Sequence, residues 1–202
     1  MTKTEEALAD LKKQLHSLMN GPVSSTLRNS GLKYRTIYGV EWGRLVELAA
    51  ETGKSQALAA ALWKEDIREC RLLAGLVQPA ELFTEDLAEI WVESMNYPEE
   101  AQYTTLSLLQ HMPDASDIAF RWIADGRIMF QLCGYLILAR MFMKSYSLSE
   151  RESNEFLDQA ESSLNAQNPS LKSAVLNALL KYSELGEEEN IQAAKVLHKL
   201  HQ

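Results

Sequence analysis

The stretch WGRLVELAAETGKSQALAAALWKEDIRECRLLAGLVQP, Trp42 to Pro79, decides the fold class. Its apolar residues recur at helical intervals, and a stop signal arrives about every ten residues. Trp42 to Glu51 reads as a helix ended at Gly53, and Ser55 to Lys64 as a second. Asp66 and Glu69 have capping-box spacing and open a third that runs to Val77, where Pro79 stops it. Short helices joined by connections of a few residues favour antiparallel neighbours.

The same pattern extends outward in both directions. Downstream, Thr84 can cap a helix with the face Leu87, Ile90, Trp91 and Met95, broken at Asn96-Tyr97-Pro98. Pro98 suits the first turn of the next helix, which runs to His111. Pro113-Asp114 starts another, carrying Ile118 and Trp122. Ile128 to Met143 follows the break at Gly126. Ser149 and Glu152 repeat the capping-box spacing, Asn168-Pro169 is a cap with Pro in the first turn, Gly186 ends that helix, and Asn190 to Leu200 makes the last. Upstream, Ala7, Leu8, Leu11, Leu15 and Leu18 form one stripe over Glu5 to Met19. Residues 20–36 read as a basic loop with room for one short helix. The expectation is an all-α chain, a solenoid of HEAT-like antiparallel helix pairs, organised as a single repeat domain over 1–202. An N-terminal helix (1–19) and the loop (20–36) precede the repeats (37–202). A compact irregular bundle is the structural alternative.

Composition sets the functional bounds. Nine Gly and five Pro are too few for the many tight turns of a β-sandwich. The formal charge of −8 argues against a general affinity for nucleic acid, since phosphate binding needs a basic face. Before Ile37, however, the charged residues are Lys3, Lys12, Lys13, Arg28, Lys33 and Arg35 against Glu5, Glu6 and Asp10, so the acidity lies in the remainder. The apolar run Ile128 to Met143 contains Gln131 and Arg140 and is too short to span a bilayer. Cys70 and Cys133 are isolated and read as buried thiols in a reducing compartment. A polar N-terminus without signal-peptide character completes the expectation of a cytoplasmic protein with no membrane partner.

Common catalytic signatures are absent: there is no P-loop, GxGxxG, GxSxG or HExxH. His198 and His201 could share a face of the last helix, but two ligands do not make a metal site, so no metal and no cofactor are expected. Trp42, Trp63, Trp91 and Trp122 sit at helical spacing and read first as core. Arg28, Lys33 and Arg35 stand beside Tyr34 and Tyr38. Basic residues interleaved with aromatics can hold phosphates and stack on bases, while the bland reading is a solvated connector.

Several stretches then point to a family. Tyr38-Gly39-Val40 followed by Arg44-Leu45 and Leu48-Ala49 resembles the opening of the DNA alkylation repair family, the AlkD-like alkylpurine DNA glycosylases. Leu62-Trp63 through Arg68-Glu69 to Leu73-Ala74 is similar to its next helix pair. Phe120-Arg121-Trp122-Ile123 and Leu171-Lys172-Ser173-Ala174 with Ala178-Leu179 resemble later repeats, so the likeness covers about Tyr38 to Leu200. The resemblance implies HEAT-like pairs stacked in a curved array whose concave face holds duplex DNA, and a site with a catalytic aspartate and flanking tryptophans. An N-alkylated purine is a cationic leaving group, and a carboxylate stabilises the oxocarbenium sugar left behind.

The chain departs from that pattern at the site. Against the family motif W-D-x-x-D stands Trp91-Val92-Glu93-Ser94-Met95, with Met95 in the aspartate position. The family's site arginine falls on Gln131, Leu132 or Cys133. The expectation is therefore a family member that binds DNA through a degenerate glycosylase site, with Arg28, Lys33, Arg35, Trp91, Arg121 and Arg127 as contacts. One alternative is a protein-interaction scaffold with its partner on the concave face, which the −8 charge favours. Another is an active glycosylase using a relocated carboxylate, for which Glu93 is the candidate. The charge of the groove discriminates among them.

Overall fold

A computed structural model describes residues 2–199, in which the chain divides between Thr84 and Glu85 into two compact units. Twelve α-helices and two single-turn 3-10 helices, Ala80–Leu82 and Leu109–His111, account for the regular structure of the described residues. They contain no strand, only an isolated parallel bridge between Thr36 and Ile67.

The N-terminal unit holds α1 (Lys3–Ser17), α2 (Gly21–Asn29), α3 (Trp42–Thr52), α4 (Gln56–Trp63) and α5 (Arg68–Val77). Its local signals act largely as read. Gly53 terminates α3, and the Ser55 hydroxyl accepts from the Leu58 amide to cap α4. Leu45, Leu48, Leu58, Leu62 and Leu73 fill the core. The segment 20–36, expected mainly as a loop, contains the nine-residue helix α2. Asn20 caps it and Pro22 occupies its first turn, a start signal present in Asn20-Gly21-Pro22.

The C-terminal unit holds α6 (Glu85–Glu93), α7 (Pro98–Ser107), α8 (Ala115–Ile123), α9 (Ile128–Met143), α10 (Glu150–Leu164), α11 (Pro169–Ser183) and α12 (Glu187–Lys199). The apolar run 128–143 is a single helix over the expected residues. It packs on α7, α8 and α11 at the centre of the unit. Gly134 lets α8 come close, since a Cβ there would stand 2.9 Å from the Ala119 carbonyl oxygen. Phe142, Phe156 and Tyr182 meet with ring centroids 5.2 to 5.4 Å apart, joining α9, α10 and α11, and the Tyr135 hydroxyl meets Ser163 Oγ at 3.0 Å. Asn168 caps α11, and Ser149 with Glu152 forms a complete capping box on α10. The last helix begins at Glu187, three residues before the expected start, because Glu187, Glu188 and Glu189 favour a first turn. His201 and Leu200 lie outside the described residues.

The helices of this unit sort into two layers. α7, α9 and α11 lie side by side, with α9 in the middle. α8 and α10 back them, and Arg121 of α8 is bonded to Glu85 of α6.

Candidate nucleic-acid interface

The arrangement at α6 changes the reading of the tryptophan motif. The helix ends at Glu93, so Met95 lies in the turn beyond it, where its amide donates to the Val92 carbonyl. Trp91 is 2% exposed and Met95 6%. The buried side of this segment is Ala88, Trp91, Val92 and Met95, whereas Ile90, expected on the apolar face, is 61% exposed. Trp91 is therefore a packing residue here. An indole this enclosed offers no face to a base, which removes it from the DNA contacts expected from the sequence. Trp122 is equally buried and stands edge-on to Phe130, with ring centroids 5.4 Å apart.

The other proposed side chains of this region are exposed but already engaged. Glu93 points to solvent, its side chain 71% exposed, and its Oε1 lies 3.7 Å from Arg127 Nη1. Arg127 also grips Asp125 through Nε at 3.0 Å and Nη2 at 2.8 Å, and its guanidinium lies 3.6 Å from the Phe130 ring centroid. The side-chain bond to Arg127 holds the Asp125 carboxyl below the usual carboxylate range. Arg121 donates to Glu85 through Nε at 3.0 Å. Both arginines face carboxylates, so a phosphate would have to compete with these partners.

In the N-terminal unit, Arg28, Lys33 and Arg35 are all exposed, on α2 and the segment that follows. Arg28 Nη1 donates to the Tyr34 carbonyl at 3.2 Å, which fastens the end of α2 to that segment. Behind it lies a contact invisible to local reading. Glu69, fully buried, does not cap α5 with Asp66. Its two oxygens accept instead from the amides of Tyr38 at 3.0 Å and Gly39 at 2.9 Å, and Arg68 Nη1 donates to it at 3.2 Å. The same Arg68 nitrogen reaches the Val40 carbonyl at 3.4 Å. Gly39 has φ of +77°, and a Cβ on it would stand 2.4 Å from the Asn20 carbonyl oxygen. The Tyr38-Gly39-Val40 and Arg68-Glu69 stretches are thus two halves of one clamp, and their role here is structural. Beside it, burial pushes the Cys70 thiol up to about 12, with Glu65 adding to the effect.

A depression of the C-terminal unit runs across α7, α9 and α11. It encloses about 440 Å³ and is lined by Gln102, Leu132, Leu136, Ser170, Ser173 and Asn177, with Pro169 and Ala174. No charged side chain lines it. Of the residues placed against the family's arginine, Leu132 lines this depression, Cys133 is fully buried, and Gln131 is half-buried. Gln102, Ser173 and Asn177 are groove residues that sequence reasoning missed, because polar residues at helical spacing look like an ordinary solvated face.

The helices around the depression also differ in charge. α9 and α11 contain no Asp or Glu, and the two acids of α7, Glu99 and Glu100, sit in its first turn. Glu100 is fully buried and accepts from the amides of Asn96 and Tyr97. By contrast α6 carries Glu85, Asp86, Glu89 and Glu93, α10 carries Glu150, Glu152, Glu155, Asp158 and Glu161, and α12 opens on three glutamates. The described residues include no cluster of three metal-ligating side chains, and no helix among them is long and apolar enough to cross a membrane.

One solved structure, reported as a new family of proteins related to the HEAT-like repeat DNA glycosylases with affinity for branched DNA structures, superposes with a TM-score of 0.84. It is 18% identical, over 94% of this chain and 81% of that one, a likeness that shows the HEAT-like helical fold alone. No curated protein matches the chain. A family model described as DNA alkylation repair enzyme matches residues 11–199. With nearly the whole sequence inside that match, the chain belongs to the DNA alkylation repair enzyme family.

Proposed function

We propose that this family member binds DNA on the acid-poor layer α7–α9–α11 and does not cleave the glycosidic bond. The observation that carries the reading is the lining of the depression, which contains amides, hydroxyls and apolar groups but no carboxylate. Departure of an alkylated purine leaves positive charge on the sugar, and the lining has no anion to stabilise it. One preorganised group of that kind is worth about 3–4 kcal/mol of barrier. Glu93 does not supply it, being solvated and beside Arg127. Amide and hydroxyl groups do suit the sugar-phosphate backbone, where about half or more of protein–DNA hydrogen bonds fall. Concentration of the acids on α6, α10 and α12 lowers the repulsion a strand would meet on α7, α9 and α11. The affinity for branched DNA reported for the similar structure makes a branched or distorted duplex the substrate of choice for the test.

The experiment combines two measurements on the purified protein. Excised-base quantification on alkylated duplex DNA is expected to show no 3-methyladenine or 7-methylguanine above the uncatalysed background, for the wild type and for Met95→Asp. The latter places a carboxylate in a closed core, where it costs stability without reaching DNA. Robust excision by the wild type, lost in Glu93→Gln, would overturn this reading in favour of the relocated carboxylate. Titration of a four-way junction at two salt concentrations is expected to show binding that falls steeply as salt rises. No binding at low salt would instead favour a protein partner.

A further inference from the structure

A second depression opens beside the first. It encloses about 270 Å³, is lined by Gln102, Tyr103, Thr105, Leu106, Leu136 and Arg140, and shares Gln102 and Leu136 with its larger neighbour. Arg140 is the only charged residue lining either depression. It is half-buried, and among the described residues no carboxylate pairs with it, unlike Arg121 and Arg127. Its position in the last turn of α9 favours a cation there, but that alone does not explain a guanidinium set into a pocket.

Thr105 supplies the second, independent observation. Thr105 is one of the residues lining the pocket, it is 1% exposed, and its buried Oγ1 has no hydrogen-bond partner. A helical threonine ordinarily returns its hydroxyl to the carbonyl one turn back, and a buried hydroxyl without a partner is costly. An unsatisfied donor, a guanidinium with no carboxylate partner and the Gln102 amide thus line one small pocket, on a layer in which α9 and α11 carry no acid.

We propose that Arg140, Thr105 and Gln102 form a phosphodiester subsite, holding one backbone phosphate of a strand lying across α7, α9 and α11. A guanidinium fork matches the two free oxygens of a diester, and one cation balances its single negative charge. A terminal phosphate, nearer a dianion, would call for a second cation that the pocket lacks. The adjoining uncharged depression, with Ser170, Ser173 and Asn177, accepts the neutral sugar and base next to that phosphate. This subsite rests on the DNA-binding reading above.

The test uses the full chain and a fluorescent four-way junction, with anisotropy titrations across a salt series. Arg140→Gln is expected to weaken binding about tenfold and to flatten the slope of log affinity against log salt by about 1. Arg140→Lys keeps the charge at the end of α9 but loses the fork, and should fall between wild type and Arg140→Gln. Thr105→Val is expected to weaken binding about threefold with the melting temperature unchanged or raised, since the hydroxyl satisfies nothing inside the protein. Wild-type binding that neither Arg140→Gln nor Thr105→Val alters would overturn the subsite while leaving DNA binding intact. Failure of the wild type to bind would overturn both. Arg140-dependent binding of inorganic phosphate, with junction affinity unmoved by Arg140→Gln, would assign the pocket to a free anion and refute the diester.

Discussion

The two units use the same device to different ends. Each buries a glutamate completely and gives it two backbone amides to accept from, Glu69 in the N-terminal unit and Glu100 in the C-terminal one. The amides held by Glu100 are three and four residues away, so it completes a local cap on α7. Those held by Glu69 are 30 and 31 residues away, so it fixes tertiary structure, and it keeps Arg68 buried beside it. Charge separates the units too. Residues 1–84 carry 11 basic and 10 acidic side chains, net +1, while residues 85–202 carry 9 and 18, net −9. The whole-chain value of −8 therefore describes neither unit. Within the acidic unit it also conceals a layer where two of three helices have no acid at all.

The largest effect that would break this comparison is the loss of the Glu69 clamp. Glu69→Ala removes the acceptor of the Tyr38 and Gly39 amides and the carboxylate beside the buried Arg68, and should cost about 3–5 kcal/mol in denaturant unfolding. Glu100→Ala removes a cap and should cost about 1–2 kcal/mol. Hydrogen exchange should place the first loss locally around residues 20–77 and the second at the start of α7. Equal costs for the two would show that sequence separation is not what distinguishes them. Gly39→Ala comes next. The left-handed backbone alone costs a β-carbon about 1–2 kcal/mol, and the contact with Asn20 adds to it.

The charge comparison is sharpened by Lys33→Gln with Arg35→Gln. Both residues are exposed in the near-neutral unit. Should that segment touch phosphates, junction binding in this double variant will lose up to about 2 from its salt slope. An unchanged slope would make it a solvated connector and leave DNA contact to the acidic unit. The smallest expected effect is on the surface of α10. Ser149→Ala should cost about 1 kcal/mol in thermal or denaturant unfolding, because the hydroxyl caps the Glu152 amide. Part of that box is pH-linked. The Ser149 hydroxyl and amide hold the Glu152 carboxyl below its usual range. This stabilisation is present above the unfolded carboxylate range and is lost as pH falls through the lowered folded value. The wild type should therefore lose more stability on acidification than Ser149→Ala does.

The sequence by itself determined the helices. Gly53, Ser55, Pro98, Ser149 and Asn168 act on backbone groups within four residues, so their effect can be read from neighbours alone. The apolar run 128–143 was legible as the central helix for the same reason. Family membership was legible as well, since its motifs are ordered stretches of chain. What only the tertiary structure decided was which side chains face a partner. Helical spacing puts Trp91 on a stripe but does not say which side of that stripe is covered, and packing of the unit enclosed it while leaving Ile90 in water. Glu69 and Asp66 have capping-box spacing, yet Glu69 pairs instead with the Tyr38 and Gly39 amides, 31 and 30 residues away, and so satisfies backbone groups that no local rule would assign to it. The polar depression of Gln102, Ser173 and Asn177, with Arg140 beside it, is drawn from three helices, its first and last residues, 102 and 177, far apart in sequence. No local rule joins them, and only the side-by-side packing of α7, α9 and α11 does.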